Sequence, residues 1–390
     1  MQTMHPSIML GSYVWAQDRL PQDEFALRLE DLRAAMDRHG WQAVLVYGDA
    51  REHAALAHVS NFIPRMRWGM ALIPRAGDAR LLCAMGTRDL PAMRTMTWIA
   101  DVHSGWGPEW ERAFDPWLGR LTGDEFLGAP SVALGTVGFD LMAPVLHGSV
   151  RRSLGDRFRM HRADDVLEIP PRRKRPREIT MMRGSCKVLE AAAKAFAESW
   201  RGNHAPETAA LDAERVARSR AAQDVRTLVS LDGGRTLVPF QGRFEEKAGP
   251  LLGYIAVKVA GYWADMFVTA SRGPAPSASR QAGTALDILL AEMRSGARAG
   301  ALHAKATAAL LPFKLHPVLS DSVGHSIGLS LQEGAEIRAG DDSVLVENGV
   351  YSVQVGIAGG EAGHALLSAV VHVTANGAEL LARSPSIVEG

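Results

Sequence analysis

The sequence is poor in cysteine and has no excess of either charge. Only Cys83 and Cys186 occur among the 390 residues, far apart and without the CxxC spacing of a structural zinc site. A disulfide framework is therefore not expected, which agrees with a reducing compartment. Lysine plus arginine and aspartate plus glutamate both total 43, so no net field attracts nucleic acid or an anionic membrane. The basic run Arg172–Arg177 has acidic residues on both sides and is interpreted as a solvated linker.

Long apolar runs are also missing. No uninterrupted apolar stretch approaches the roughly 20 residues that span a bilayer, and Met1–Pro6 lacks the basic and apolar regions of a signal peptide. We therefore expect a cytoplasmic protein that does not associate with membranes. The apolar content of 47% and the charged content of 22% are those of an ordinary globular protein, whose length suggests two domains.

The first part of the chain alternates helix and strand signals. A helix is predicted over Asp23–His39, and a hairpin is predicted from Met70–Ile73 and Arg80–Cys83. This alternation indicates an α/β architecture. The Pro- and Arg-rich segment Glu168–Pro176 is the expected boundary. The predicted domains are therefore residues 1–167 and 168–390.

The second part has long helices and antiparallel strand signals. A helix is predicted over Glu178–Trp200, followed by a strand at Leu228–Leu231. The next two strands form a hairpin with Gly261 at its turn, and a later strand is predicted at Val344–Val346. Helices mixed with antiparallel hairpins indicate an α+β domain.

Several stretches of the second part, in a fixed order, carry a family resemblance. They are Lys174–Ile179, Gly261–Asp265, Gly324–Glu333, Val344–Gln354 and Val371–Gly377. Together they resemble the catalytic domain of the creatinase, prolidase and aminopeptidase P family, of the M24 type. The first part also resembles the smaller α/β domain of that family. The resemblance implies an α/β N-terminal domain, a pita-bread α+β C-terminal domain and a homodimer.

The metal ligands of that family are only partly matched. The resemblance implies two hairpin aspartates, one histidine and two glutamates around two divalent ions, and Asp265 and His325 match the second aspartate and the histidine. The other positions hold Tyr254, Gln354 and Ser368. Hard divalent ions need anionic oxygen ligands, and one carboxylate remains where the family has four. We therefore predict that the two-metal site is lost and that the protein uses no metal or other cofactor.

Supporting residues of the family are replaced as well, since two of its histidines correspond to Phe240 and Gln332. Three functions stay open. The first is a metal-independent enzyme that hydrolyses or rearranges a C–N bond of a small polar substrate, with His325 as the acid–base group and Asp265 orienting it. The second is a non-catalytic binding module or partner subunit. The third is an Xaa-Pro peptidase-like hydrolase with residual metal-dependent activity.

Four residues near these positions are candidate substrate contacts. Gln332 and Gln354 offer neutral amides, Glu333 offers a polar anchor, and Tyr254 offers a phenol that donates a hydrogen bond. Each has a structural alternative. Glu333 can pair with a neighbour on its loop, Tyr254 can plug the former metal cavity, and the glutamines can simply fill space.

Two arginines of the first part complete the predicted site. The resemblance to creatinase-type dimers implies that Arg65 and Arg67 lend a basic residue to the pocket of the partner subunit. A plain surface role is the alternative for both side chains. The predicted partners are thus a small-molecule substrate and a second copy of the chain, without nucleic acid or membrane.

Overall fold

A computed structural model of the chain describes residues 14–105, 109–121, 131–167, 173–239, 249–334, 336–359 and 363–385. The chain divides into two compact units, Met1–Ile169 and Pro170–Gly390. Residues 168–172 of the predicted boundary segment lie outside the described residues. Within the described part of the chain, no helix is both long enough and apolar enough to cross a membrane.

The first unit contains one mixed sheet with helices between its strands. Its strands are β1 Ala43–Asp49, β2 Trp68–Pro74, β3 Arg80–Cys83, β4 Asp101–Ser104, β5 Val132–Val137 and β6 Phe158–Arg162. Its helices are α1 Gln22–His39, α2 Ala54–Ser60, α3 Leu90–Arg94, α4 Glu109–Leu121, α5 Pro144–Leu154 and α6 Asp164–Leu167. The strand order is β4-β3-β2-β1-β5-β6, and β1 is antiparallel to β2 and parallel to β5.

The α/β architecture predicted for this unit is confirmed. Helix α1 begins within one residue of its predicted start and ends at His39, followed by Gly40 with a φ of 70°, a conformation that glycine adopts most readily. The predicted hairpin is the antiparallel pair β2–β3. Strand β1 is buried along almost its whole length, as expected for a strand covered on both faces.

The second unit contains two sheets and four longer helices among the residues described. Its helices are α7 Pro176–Arg201, α8 Pro206–Ser219, α9 Ser277–Glu292 and α10 Ala299–Ala309. Its strands are β7 Asp224–Ser230, β8 Val238–Pro239, β9 Leu251–Val259, β10 Tyr262–Ala270, β11 Ser322–Ser326, β12 Glu336–Arg338, β13 Val350–Gly359, β14 Gly363–Val373 and β15 Ala378–Arg383. The sheet orders are β10-β9-β7-β8 and β12-β11-β13-β14-β15.

Helix α7 is fixed at its start and packs on the hairpin β9–β10. The backbone N–H of Arg175 donates to the Glu178 carboxylate at 3.2 Å, and Pro176 takes the first helical position, where no N–H is needed. Gly253 lets the helix approach closely, because a Cβ there would lie 2.7 Å from the ring of Phe196. This face of the hairpin is therefore closed by the helix, and the opposite face is left for the second sheet.

The two sheets of this unit are joined through side chains of β10 and β14. The N–H of Phe267 donates to Oγ of Ser368 at 2.9 Å. Thr269 Oγ1 donates to the carbonyl of Leu366 at 2.9 Å and accepts from the N–H of Leu366 at 2.8 Å. We call these bonds the β10–β14 joint. They set which residues of the two sheets face each other.

Two strand predictions differ from the structure. Val344–Val346 is not a strand: Val344 forms an isolated bridge with Arg298, and the backbone of Leu345 bonds to the turn at residues 296–297. Strand β7 begins at Asp224, four residues earlier than predicted. Its polar residues alternate with buried ones, and this two-residue period was obscured by the charges of Asp224 and Arg226.

The backbone conformation of the turn between β9 and β10 predicts the effect of a glycine substitution on stability. Ala260 and Gly261 both have positive φ, 47° and 90°, as a two-residue turn of this hairpin type requires. We expect Ala260→Gly to raise the free energy of unfolding by about 1 kcal/mol, because a side chain in this conformation costs about that much.

The matched control is Ala264→Gly, a buried position within β10, which should lower the unfolding free energy. Urea denaturation followed by tryptophan fluorescence measures both. A midpoint for Ala260→Gly at or below that of the unchanged protein would contradict the prediction.

Candidate functional site

Tyr254 and Asp265 lie on the same face of the hairpin. Tyr254 is opposite Phe267 and Asp265 is opposite Ala256, so the two residues are diagonal neighbours across the strand pair. The hydroxyl of Tyr254 donates to Oδ2 of Asp265 at 2.8 Å, and the Asp265 side chain is 1% exposed. Burial, together with the adjacent carboxylate, raises the pKa of Tyr254 well above its usual range. The phenol is therefore a neutral donor.

His325 reaches the same carboxylate from the second sheet. It lies on β11 opposite Ser352 of β13, and its Nε2 is 3.6 Å from Oδ2 of Asp265. This distance is beyond that of a hydrogen bond. In the part of the chain that the structure describes, His325 Nε2 and Asp265 Oδ1 are buried atoms with no hydrogen-bond partner. Buried polar atoms normally have one, so this site has two unused hydrogen-bonding positions.

Gln354 and Ser368 face each other on β13 and β14 and are both buried. The strand period places Gln354 on the face that carries Ser352 and His325. The hydroxyl of Ser368 accepts from the Phe267 N–H and is part of the β10–β14 joint. Gln354 thus supplies a neutral amide to the buried face, while Ser368 holds the two sheets together.

Glu333 is held by partners on its own loop and at the start of the unit. Its carboxylate forms an ion pair with the ammonium of Lys174 and accepts the N–H of Leu329 at 2.7 Å. The two charged side chains are 7% and 0% exposed. Gly328 leaves room for the pair, since a Cβ there would lie 2.6 Å from the Glu333 carboxylate. The contact with Leu329 is the loop pairing given above as the structural alternative for Glu333, whereas the ion pair with Lys174 was not predicted.

The remaining predicted residues are not part of this buried group. Gln332 is exposed, and its amide donates to the carboxylate of Glu336. Phe240 lies outside the described residues. Arg65 and Arg67 belong to the first unit and are exposed in the bend before β2. Their contribution to the pocket of a partner subunit stays a prediction.

The residues at the five metal-ligand positions do not fit two divalent ions. Asp265 is the one carboxylate among them, Tyr254 presents a protonated phenol, Gln354 is neutral, and the Ser368 hydroxyl serves a backbone N–H. Two divalent ions need more anionic oxygen than one carboxylate provides. Across the described ranges, no group of three or more His, Cys, Asp or Glu side chains is placed to hold a metal ion.

Comparison with known families decides the class of the chain. Residues 180–375 match the model described as metallopeptidase family M24. The chain belongs to this family. The matched region runs from α7 to the end of β14, so it contains Tyr254, Asp265, His325 and Gln354. No curated protein shows significant similarity to the chain.

Solved structures with the same architecture cover nearly all of the chain. The prolidase from Pyrococcus horikoshii OT3 has a TM-score of 0.73 at 16% identity, over 93% of this chain and 100% of that one. The X-Pro aminopeptidase from Thermotoga maritima MSB8 has 0.75 at 19%, over 93% and 99%. The Xaa-Pro dipeptidase from Bacillus anthracis has 0.73 at 17%, over 93% and 98%. The predicted fold, an α/β N-terminal domain with a pita-bread C-terminal domain, is confirmed.

Sequence reasoning missed the role of Lys174. It lies in the Lys174–Ile179 motif, but nothing in the motif indicates that its ammonium is buried. Its partner Glu333 is 159 residues away in the chain. The sequence does place these two opposite charges in motifs of the family resemblance, Lys174 at the start of one and Glu333 at the end of another.

The Lys174–Glu333 ion pair should be important for stability. We expect Lys174→Met to lower the free energy of unfolding by about 3–5 kcal/mol, because it leaves the Glu333 carboxylate buried without its cation. The control is Arg298→Met, which removes an exposed ion pair with Asp342 and should cause little change. Chemical denaturation of the two variants side by side checks this. Equal losses of unfolding free energy in the two variants would show that the buried ion pair contributes no more to stability than the exposed one.

Proposed function

We propose that this M24 member is a metal-independent enzyme that hydrolyses or rearranges a C–N bond of a small polar substrate. One observation carries the proposal. The imidazole Nε2 of His325 is buried, lacks a partner among the described residues and lies 3.6 Å from the Asp265 carboxylate. An imidazole beside a carboxylate is a common acid–base arrangement in enzymes.

The roles of the residues follow from their positions. Asp265 stabilises the protonated imidazole through its charge across the 3.6 Å gap, and it orients the ring through a hydrogen bond that shortens when a substrate binds. The Tyr254 hydrogen bond holds the carboxylate in place. In a hydrolysis, His325 takes a proton from the attacking water as the C–O bond forms. It then returns this proton to the leaving nitrogen as the C–N bond breaks. Gln354 provides a neutral hydrogen-bonding group for a polar substrate.

The charge of the site supports metal independence. The second sheet contributes an amide and a hydroxyl at the positions that the family resemblance assigns to glutamate ligands. A proton can move between His325 and a substrate without these ligands, whereas two bound divalent ions cannot be held without them.

Non-catalytic binding is the second candidate, and the position of Tyr254 favours it. Its hydroxyl lies on Asp265, and its ring packs on Phe267 with centroids 5.1 Å apart. If the Tyr254 phenol always blocks access of a substrate to Asp265, the site cannot catalyse a reaction, and the protein would act by binding a partner. Turnover of a bound small molecule distinguishes the enzyme from the binder.

A third candidate is a peptidase with residual metal-dependent activity. The similar structures are a prolidase, an X-Pro aminopeptidase and an Xaa-Pro dipeptidase by name. This candidate requires a metal ion at Asp265 and His325, which two ligands hold weakly.

We also propose a cytoplasmic homodimer with domains 1–167 and 168–390, in which Arg65 and Arg67 contribute to the partner's pocket. Sedimentation analysis tests the dimer. Mixing an Arg65→Ala, Arg67→Ala chain with a His325→Ala chain tests the shared pocket, because mixed dimers should regain part of the turnover.

Metal analysis tests the central claim. We expect the purified protein to contain far less than one tightly bound transition-metal ion per chain. A chelator should leave its melting temperature unchanged, because a protein that binds no metal gains no stability from metal binding. The prolidase from Pyrococcus horikoshii OT3, purified in parallel, is the comparison. One or more ions per chain, whose removal lowers the melting temperature, would show that the third candidate is right.

A substitution tests the acid–base role. Small polar compounds are first screened for thermal stabilisation, and those that bind are assayed for turnover. His325→Ala should lower kcat by about 10²–10⁴-fold, the usual contribution of a general acid–base group. Arg298→Met, which removes an exposed ion pair with Asp342, should leave turnover unchanged. Intact turnover in His325→Ala would rule out the acid–base role, and binding without turnover in the unchanged protein would favour the binding module.

A further inference from the structure

We infer that the second unit has a binding site for a small aromatic carboxylate at the end of helix α7, apart from the candidate site described above. The site is a cavity of about 400 Å³, a volume in the range of small-molecule pockets. It is lined by the end of α7, the start of β9 and the segment after β10, through Trp200, Gly249, Pro250, residues 271–274 and Pro276. None of these residues takes part in the proposed reaction, so the inference does not rest on the proposed function.

Arg272 gives the cavity its charge. Its guanidinium lies on the ring of Trp200, 3.6 Å from the ring centre. Two of its N–H groups donate to backbone carbonyls, Nε to Trp200 at 3.2 Å and Nη2 to His204 at 2.6 Å. These acceptors are neutral, so they hold the guanidinium in place without cancelling its charge. None of the described residues that line the cavity is acidic.

The carbonyl end of α7 weakens this positive charge without cancelling it. The C-terminus of a helix is equivalent to about half a negative charge. Part of this negative end is already bonded, since the carbonyl of Trp200 also accepts the N–H of Asn203 at 3.1 Å. One full positive charge beside about half a negative charge leaves the described lining positive. The cavity therefore favours an anion over a neutral molecule or a cation.

The indole of Trp200 supplies an unused hydrogen-bond donor. Trp200 is 1% exposed, and its Nε1–H is a buried group without an acceptor in the part of the chain that the structure describes. A buried indole N–H usually has a partner. Because the Arg272 guanidinium lies on the indole, the two donors are close together. A carboxylate has two oxygens and can accept from both, and its bond to a guanidinium is stronger than that of a neutral acceptor.

The rest of the lining favours an aromatic body on this carboxylate. Pro250, Pro274 and Pro276 contribute rings with little conformational freedom. Gly273 leaves space, because a Cβ there would meet no atom within 4 Å. An aromatic ring gains free energy by covering these apolar surfaces, whereas a bare inorganic ion does not. The ligand class that satisfies the charge, the donor and the apolar walls together is an aromatic carboxylate.

Titration of the full-length protein with benzoate at neutral pH tests the inference. The analogues are benzamide, which is neutral, benzylamine, which is cationic, and acetate, which lacks the ring. We expect benzoate to bind with a dissociation constant of about 1 mM or lower, at least about tenfold tighter than each analogue. In NMR spectra of protein with isotope-labelled tryptophan, the indole N–H resonance of Trp200 should shift on binding, because this group gains an acceptor. Its loss in Trp200→Phe assigns the resonance.

Two variants test the charge and the space separately. Arg272→Leu removes the guanidinium and should lower benzoate affinity at least about tenfold. Gly273→Phe keeps the guanidinium, fills the cavity and should abolish the shift of the Trp200 resonance. The matched controls are Arg298→Leu, which removes an exposed arginine elsewhere in the unit, and Gly377→Phe, where a Cβ also meets no atom within 4 Å. Both controls should bind benzoate as the unchanged protein does.

Several results would overturn the inference. These are no binding of benzoate, equal binding of benzamide, benzylamine or acetate, and unchanged benzoate affinity in Arg272→Leu. Shifts of other tryptophan resonances without a shift of Trp200 would also overturn it, because benzoate would then bind elsewhere. If Arg272→Leu does not fold, as judged by circular dichroism, Gly273→Phe decides: lost benzoate binding supports the inference, and unchanged binding overturns it. His325→Ala should bind benzoate normally, which separates this site from the proposed reaction.

Discussion

The site of this protein depends on the β10–β14 joint. The Phe267 N–H bonds to the Ser368 hydroxyl, and Thr269 exchanges two hydrogen bonds with Leu366. Sliding one sheet over the other would leave these buried groups unsatisfied, which is expensive in a dry interior. Asp265 and His325 lie on different sheets, so the distance of 3.6 Å between their side chains depends on how the joint aligns the two sheets. Helix α7 packs on the opposite face of the hairpin β9–β10. On the face that carries Asp265, the β10–β14 joint holds the hairpin against the second sheet.

Membership of family M24 and the chemistry of the site are separate matters here. The fold is shared with prolidases and aminopeptidases over more than nine-tenths of the chain, but a fold does not determine a reaction. What determines it is the set of side chains on the inner faces of the two sheets. In this chain they include a phenol, a carboxylate, an imidazole and an amide, so the five positions offer one carboxylate to a metal ion.

Much of the fold was predictable, because it follows from local patterns and motif order. Residues such as Gly40 and Pro176 mark helix ends through their own backbone geometry, and Gly261 marks the turn of the predicted hairpin. The contacts of the site were harder to predict. The ion pair of Lys174 with Glu333 joins distant segments, and the 3.6 Å gap at His325 depends on side-chain packing. Neither has a local signature. Val344–Val346 has the composition of a strand, but its backbone bonds to a turn and not to a neighbouring strand.

Ser368 also has a consequence for how such a site evolves. Its hydroxyl has a structural role, because it accepts the backbone N–H of Phe267 in the interior. A mutation that introduced a carboxylate at this position would disturb that contact before any ion compensated the loss, since the other ligand positions would still hold Tyr254 and Gln354. A single substitution of this kind is thus unfavourable without the others, so the effects of substitutions at these positions depend on one another.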